Sequence, residues 1–335
     1  MNAKQETTEP RTSSQQAHPF RTLRTRKYFG SLVTLAVVMI IFAAGTRGGN
    51  LSPANFQNIL SLAGLFLIAV QGMTLVFLVG GMDLSTEGII ALSAVVSGLL
   101  IRQNPAMVFP VMLLALCIGF ASGFLSGVIN TKLKMPSFLV TLGMWYVTRG
   151  LAVIVIKGQQ YPVKNELLKY MVDGKLFGFI PFIALISLVV FAIFFFLQRQ
   201  TAFGKHLYAI GGNESLAIQA GVRADKIKVI VFGIAGASYA LVGFFLMSRL
   251  QLTTSQMGSG YMFPAVIATV LGGTAMSGGA GGAINAVIGA LAYQFLQNGL
   301  VMMNVNVYAQ AAVNGVVLIA AITASMDRKK IGIIK

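Results

Sequence analysis

Cysteine is almost missing. Cys117 stands alone in an apolar run, so the chain closes no intramolecular disulfide and reveals nothing about a redox compartment. Charge is scarce as well: Asp, Glu, Lys and Arg make up 10% of the 335 residues, against roughly 25% in a soluble globular protein. The two histidines, His18 and His206, sit in polar segments without ligand partners at useful spacing, so no metal site is expected. No Ser-His-Asp or Cys-His set occurs, and no carboxylate pair has a pocket-like context. The Gly-rich stretch GGTAMSGGAGG at 272–282 lacks the Lys-Ser/Thr ending of a phosphate loop and does not follow a soluble strand. These absences exclude a disulfide scaffold and leave nothing that supports an enzyme.

What fills the chain instead is apolar: 56% hydrophobic residues and 37 glycines. A soluble fold could not cover that much apolar side chain, because its surface would hold too few polar groups. The composition places the chain in a lipid bilayer. A helix needs about 20 mainly apolar residues to cross the hydrocarbon core. Runs cut at charges, prolines and polar clusters predict about ten spans: 29–46, 58–80, 84–101, 107–129, 137–156, 178–197, 229–247, 262–279, 281–302 and 308–326. The expected class is therefore an all-α integral membrane protein.

The net charge of +16 is distributed by topology. With both termini inside, segments 1–28, 130–136, 198–228 and 327–335 hold six, two, five and four Lys and Arg, seventeen in all. The outer segments hold seven. The positive-inside rule therefore predicts cytoplasmic N- and C-termini. The inner charges suit anionic lipids. They are split among four segments with no recognition motif, so nucleic acid is not an expected partner. Domain organisation follows: a disordered basic tail at 1–28, one transmembrane domain at 29–326 with its longest inner loop at 198–228, and a basic tail at 327–335. A cleaved signal peptide is not expected, because the polar leader is long and further spans follow. The outer loop 157–177 has room for a short surface helix between Asn165 and Met171.

Charges at bilayer depth are costly and mark candidate sites. Three remain after loops and tails are removed: Asp83, Glu87 and Arg149. They suggest a solute path, a proton relay or an internal pair, against the plainer reading of a wet turn. A direct Asp83–Arg149 pair requires the hairpin to fold back into the membrane, which Gly80, Gly81 and Gly88 would permit. Gly80 and Gly81 are followed by Ser85. The same Gly-Gly-Ser pattern recurs at Gly272, Gly273 and Ser277, a weak internal echo. Gly119, Gly123 and Gly127 put small residues on one helical face, where another helix can approach closely. Late in the chain come Tyr261, Phe263, Asn285, Gln294, Gln297, Asn298 and Asn314. Amides at this depth serve either helix-to-helix bonding or a hydrated path for an uncharged solute.

The loop 203–225 reads FGKHLYAIGGNESLAIQAGVRAD. Gly211-Gly212 breaks the chain, Asn213 is a good N-cap and Glu214 suits the first turn. A short helix from Ser215 through Ala217 to Ala220 then stops at Gly221. Such a capped helix in the longest inner loop is either a docking element or an ordinary surface helix.

YAIGGNESLAIQAGV at 208–222 resembles the coupling loop of permease subunits in bacterial ATP-binding-cassette importers for ribose, xylose, arabinose and related sugars. The likeness extends to LVGGMDLS at 78–85, KMPSFLVTLGMWYVTRGLA at 134–152 and AVIATVLGGTAMSGGAGG at 265–282, covering about residues 55 to 327. It implies a permease in the bacterial inner membrane that binds no cofactor of its own. A cytosolic ATPase carrying ATP and magnesium would grip the loop through Gly212, Asn213, Glu214, Ser215, Ala217, Ala220 and Gly221. A second permease subunit, identical or homologous, would complete the path, and a periplasmic binding protein would deliver the solute.

The chain departs from the usual family pattern at three places. Met262-Phe263-Pro264 follow Gly260-Tyr261, as in branches similar to autoinducer-2 permeases. Thr86-Glu87-Gly88 follow the Asp-Leu-Ser block, and Gly278-Gly279-Ala280-Gly281 replace a Gly-Gly-Arg-Gly. A pentose, a hexose, a polyol and a furanone-like signal all remain open as substrates. The alternative is a self-sufficient secondary transporter with Asp83 or Glu87 as proton carrier, which has no need of the capped inner helix.

Overall fold

A computed structural model describes residues 28–325; both expected tails, Tyr28 apart, lie outside the described residues. The regular structure of the described chain is helical apart from four strands of two or three residues. In chain order the first helices are α1 (Phe29–Gly45), α2 (Pro53–Leu78), α3 (Thr86–Gln103), α4 (Val108–Lys132) and α5 (Ser137–Ile156). After β1 (Gln160–Pro162) come α6 (Glu166–Asp173), the small hairpin β2 (Lys175–Leu176) and β3 (Ile180–Pro181), and α7 (Phe182–Gln200). Then follow α8 (Ala202–Gly212), α9 (Glu214–Gln219), α10 (Ala224–Leu250) and β4 (Leu252–Thr254). The last three are α11 (Met262–Leu271), α12 (Ala283–Met302) and α13 (Val307–Ser325).

Helices dominate because lipid offers the backbone no hydrogen bonds, so each segment must satisfy its own. Among the described residues, six helices are long and apolar enough to cross a membrane: α2, α3, α4, α5, α7 and α10. Of these, α2, α3 and α10 form the buried centre, whereas α4, α5 and α7 turn large apolar side chains outward, among them Phe109, Leu113, Tyr146, Ile154, Leu188 and Phe196. An apolar rim of this size would aggregate in water and suits lipid. Gly119, Gly123 and Gly127 of α4 lie against α10. A Cβ there would stand 2.3 Å from the Gly236 oxygen, 2.0 Å from the Phe232 oxygen and 2.7 Å from the Val229 Cα. The bare face lets the two backbones touch.

Two sequence expectations change. The run 262–279 is not one span: α11 stops at Leu271, where Gly273 takes a φ of +85°. Ten residues rise only about 15 Å, half the hydrocarbon core. Tyr261 at its start stacks edge-on against Phe66, near the middle of α2, and Phe66 also meets Tyr293, near the middle of α12. The helix therefore begins at half depth. The chain reaches that depth from β4, which pairs antiparallel with β1 (Tyr161 opposite Thr253) and lies beside α3, where Thr253 donates to the Ala94 carbonyl. The second change is α8, which the glycines at 204, 211 and 212 conceal in the sequence. Gly204 is needed for close approach: a Cβ there would stand 2.2 Å from the Gln198 oxygen.

Candidate functional site

Two irregular segments and the end of a helix meet at one end of the bundle. Residues 79–85 join α2 to α3, residues 272–282 join α11 to α12, and Gly211-Gly212 end α8. The Gly279 N–H donates to the Leu78 carbonyl over 3.0 Å. A Cβ on Gly211 would stand 1.9 Å from that same carbonyl oxygen and 2.3 Å from the Gly279 nitrogen. Segment 272–282 is tied further by Tyr208, whose hydroxyl donates to the Gly281 carbonyl at 2.9 Å, and by Gln198, which accepts from the Ala283 N–H at 2.6 Å. The Tyr208 hydroxyl is pushed above its ordinary pKa by burial and stays protonated as a donor. The Gly-Gly-Ser echo of the sequence thus corresponds to two loops in mutual contact.

Segment 79–85 borrows its hydrogen bonds from α5. The Met82 N–H donates to the Ser137 hydroxyl and the Leu84 N–H to the Thr141 hydroxyl, both at 2.9 Å. Asp83 is fully buried and accepts from the Ser85 N–H at 2.9 Å and the Ser85 hydroxyl at 2.6 Å. It does not pair with Arg149. Arg149 bonds instead to the approach to α11: the Met257 carbonyl at 3.3 Å, the Ser259 hydroxyl at 3.0 Å and the Gln256 amide oxygen. Glu87 meets the same approach from α3, accepting from Gly260 N–H at 2.9 Å and Met262 N–H at 3.2 Å. Intramembrane charge draws the eye to these three residues, but their hydrogen-bond partners are backbone groups and neutral side chains, and Glu87 and Arg149 influence each other only across the strap without a direct pair.

Beside α11 lies a cavity of about 520 Å³, walled by α11, α12 and α13. Phe263 and Gln297 line it, joined by Tyr293, Gln310 and Asn314. Gln297 donates to Asn314 at 2.5 Å across the α12–α13 cleft. The other candidates lie elsewhere. Tyr261 sits behind the wall against Phe66, and Gln294 is half-buried away from the cavity lining. Asn298 exchanges hydrogen bonds with Asn55 of α2 at 2.8 and 2.9 Å, and Asn285 donates to the Gly272 carbonyl at 2.5 Å. Those two amides bond helices to each other. Gln310 went unnoticed in the sequence because the apolar run around it reads as an ordinary span.

The capped helix follows Gly211-Gly212 directly in the chain. Asn213 accepts from Leu216 N–H at 3.1 Å, and Gly221 ends the helix with a φ of +86°. Glu214 bonds Lys228 at 2.6 Å. Ala217 is buried against its own chain, whereas Leu216 and Ile218 are 60% and 54% exposed. Gly212, Asn213, Ser215, Ala220 and Gly221 are exposed as well.

The profile of the family described as branched-chain amino acid transport system, permease component, matches residues 55–322. The chain belongs to this permease family. It is 33% identical to the probable ABC transporter permease protein YphD of Escherichia coli (strain K12), over 89% of each chain. It is 35% identical to the ribose import permease protein RbsC of Bacillus subtilis (strain 168), over 88% of this chain and 90% of that one. With the autoinducer 2 import system permease protein LsrC of Photorhabdus luminescens it shares 32% identity over 79% of each. No solved structure matches the chain. It is the permease subunit of an ATP-binding-cassette importer and a multi-pass protein of the inner membrane.

Proposed function

We propose that the chain carries a monosaccharide or similarly small polar solute, with energy from a separate cytosolic ATPase and solute supplied by a periplasmic binding protein. The observation that carries this reading is the cavity beside α11. Its volume lies in the range of small-molecule sites, and it combines Phe263 and Tyr293 with the amides Gln297, Gln310 and Asn314. Rings suit the apolar face of a sugar and amides suit its hydroxyls. No charged side chain lines the cavity among the described residues, which favours an uncharged solute. The relatives named for ribose and for autoinducer 2 support the same class.

About ten crossings follow from the apolar runs, with α11 counted as a half-span, and cytoplasmic termini follow from the distribution of Lys and Arg. In that orientation α9 faces the cytosol. Leu216 and Ile218 are its contacts to the ATPase, while Asn213, Glu214 and Gly221 shape the helix. ATP and magnesium belong to the ATPase, and this chain binds no cofactor. A second permease subunit faces α13, whose Tyr308 is 85% exposed.

The test is reconstitution into vesicles with the ATPase and the binding protein. ATP-driven uptake of labelled ribose or another monosaccharide, unaffected by collapse of the pH gradient, is the expected result. Uptake by this chain alone along a proton gradient would overturn it.

A further inference from the structure

The segment from Gln256 to Met262 has two sides. Glu87 and Arg149 hold one side through five hydrogen bonds. The other side, through Gly260, Phe263 and Pro264, is the cavity wall. Gly258 and Gly260 have φ of +75° and +83°, so the segment turns sharply twice within three residues. Beneath Gly258 the side chain of Ile90 fills the space, with its Cγ2 2.4 Å from where a Cβ would stand. Around Gly260 there is no neighbour within 4 Å of that position. The strap is therefore anchored at one glycine and open at the other.

We infer that Glu87 and Arg149 are positioning residues for the cavity: they pin the strap 256–262, and through it Phe263, as the movable wall beside the solute. The chemistry of both side chains suits this task. One Glu87 oxygen takes two N–H groups at the start of α11, the positive end of a helix dipole. The Arg149 fork spans three acceptors that one lysine could not reach together. Both act on backbone or on short polar side chains of the strap. Loss of either charge loosens this segment and leaves α3 and α5 packed as before.

The test uses Phe263→Cys in a Cys117→Ala background, purified in lipid nanodiscs and probed with a charged water-soluble thiol reagent. Glu87→Gln, which leaves a neutral acceptor in place of a charged one, and Arg149→Met, which removes the donors, should each raise the labelling rate at position 263 by about twofold, because Phe263 is already 51% exposed. Arg149→Lys should fall between. Gln310→Cys, on the opposite wall, should label at an unchanged rate, whereas general loosening of the fold would raise both. If Arg149→Met does not assemble, Arg149→Lys together with Glu87→Gln decides. Unchanged labelling at 263 in the assembled variants, or equal rises at 263 and 310, would overturn the inference. The inference uses the cavity of the proposed function, but labelling needs neither ATPase nor sugar. A failed uptake experiment and a failed labelling experiment therefore remain distinguishable.

Discussion

Residues 79–85 and residues 255–261 are both irregular backbone set among helices, and different chemistry holds each. The first receives neutral hydroxyls from Ser137 and Thr141 on α5, and Asp83 turns inward on its own Ser85. The second receives one carboxylate and one guanidinium, from two different helices. Short hydroxyls fixed to a helix surface allow little movement. Long charged side chains can follow a segment as it shifts. Irregular backbone at this depth is tolerated only where protein or a wet cavity satisfies it, and α5 serves both segments, the first through Ser137 and Thr141 and the second through Arg149. The difference separates 79–85, held as frame, from 256–262, held as the strap we infer to be movable.

The strongest way to break this comparison is at the joint of the frame. Gly211→Val would drive a side chain into the Leu78 oxygen and the Gly279 nitrogen, both backbone atoms that cannot swing away. Overpacking costs about 1–3 kcal/mol, occasionally more, and here three segments meet at one point. Loss of monodisperse protein, or a large fall in melting temperature, is expected. An unaltered melting curve would show that the loops yield and are no frame.

A direct comparison of the two segments comes next. Thr141→Val leaves the Leu84 N–H without its acceptor, at about 1–3 kcal/mol. Glu87→Gln keeps an acceptor oxygen in place and removes only the charge, so its cost in stability is smaller. Melting temperature should fall more for Thr141→Val, while thiol labelling at position 263 should rise more for Glu87→Gln. The same order in both measurements would remove the distinction between frame and strap.

Much of this was legible in the sequence. Nine of the ten expected runs fall on helices along most of their length, and six of the described helices are long and apolar enough to cross a membrane. The exception, 262–279, failed for a physical reason: Ala, Thr and Met among glycines score as apolar but do not hold a helix past Leu271. Asp83, Glu87 and Arg149 stood out as charges. Their partners did not, since a backbone N–H at Gly260 or a carbonyl at Met257 leaves no mark in the residue order. The late amides were equally plain as residue types, but the sequence could not sort them. Gln297 and Asn298 are neighbours of like chemistry on different faces of α12, one turned to the cavity and one to Asn55.

That last pair gives a third, smaller test. Asn298→Leu breaks the bond to Asn55 between α2 and α12, at about 0.6–2 kcal/mol, and should lower stability with solute affinity unchanged. Gln297→Leu should do the reverse, altering uptake kinetics with little change in melting. If Asn298→Leu changed the concentration dependence of uptake and Gln297→Leu did not, the path would run along α2.

The smallest expected effect lies at the Glu214–Lys228 bridge, and it sharpens the comparison by contrast with Glu87. Both carboxylates serve a helix start, α9 and α11 respectively. Glu214 is 43% exposed in its side chain, so water and salt screen it. A double-mutant cycle with Glu214→Gln and Lys228→Gln should give a coupling of about 0.2–1 kcal/mol. Raising the salt to about 1 M shortens the screening length to about 3 Å and should erase most of that coupling. Glu87 meets the strap inside the bundle, so the labelling difference caused by Glu87→Gln should persist at the same salt. If salt abolished both effects alike, water would reach the strap as freely as it reaches the surface loop. The charges at 87 and 149 would then act as solvated groups, and the wall of the cavity would be held by packing of Ile90 and Phe66 alone.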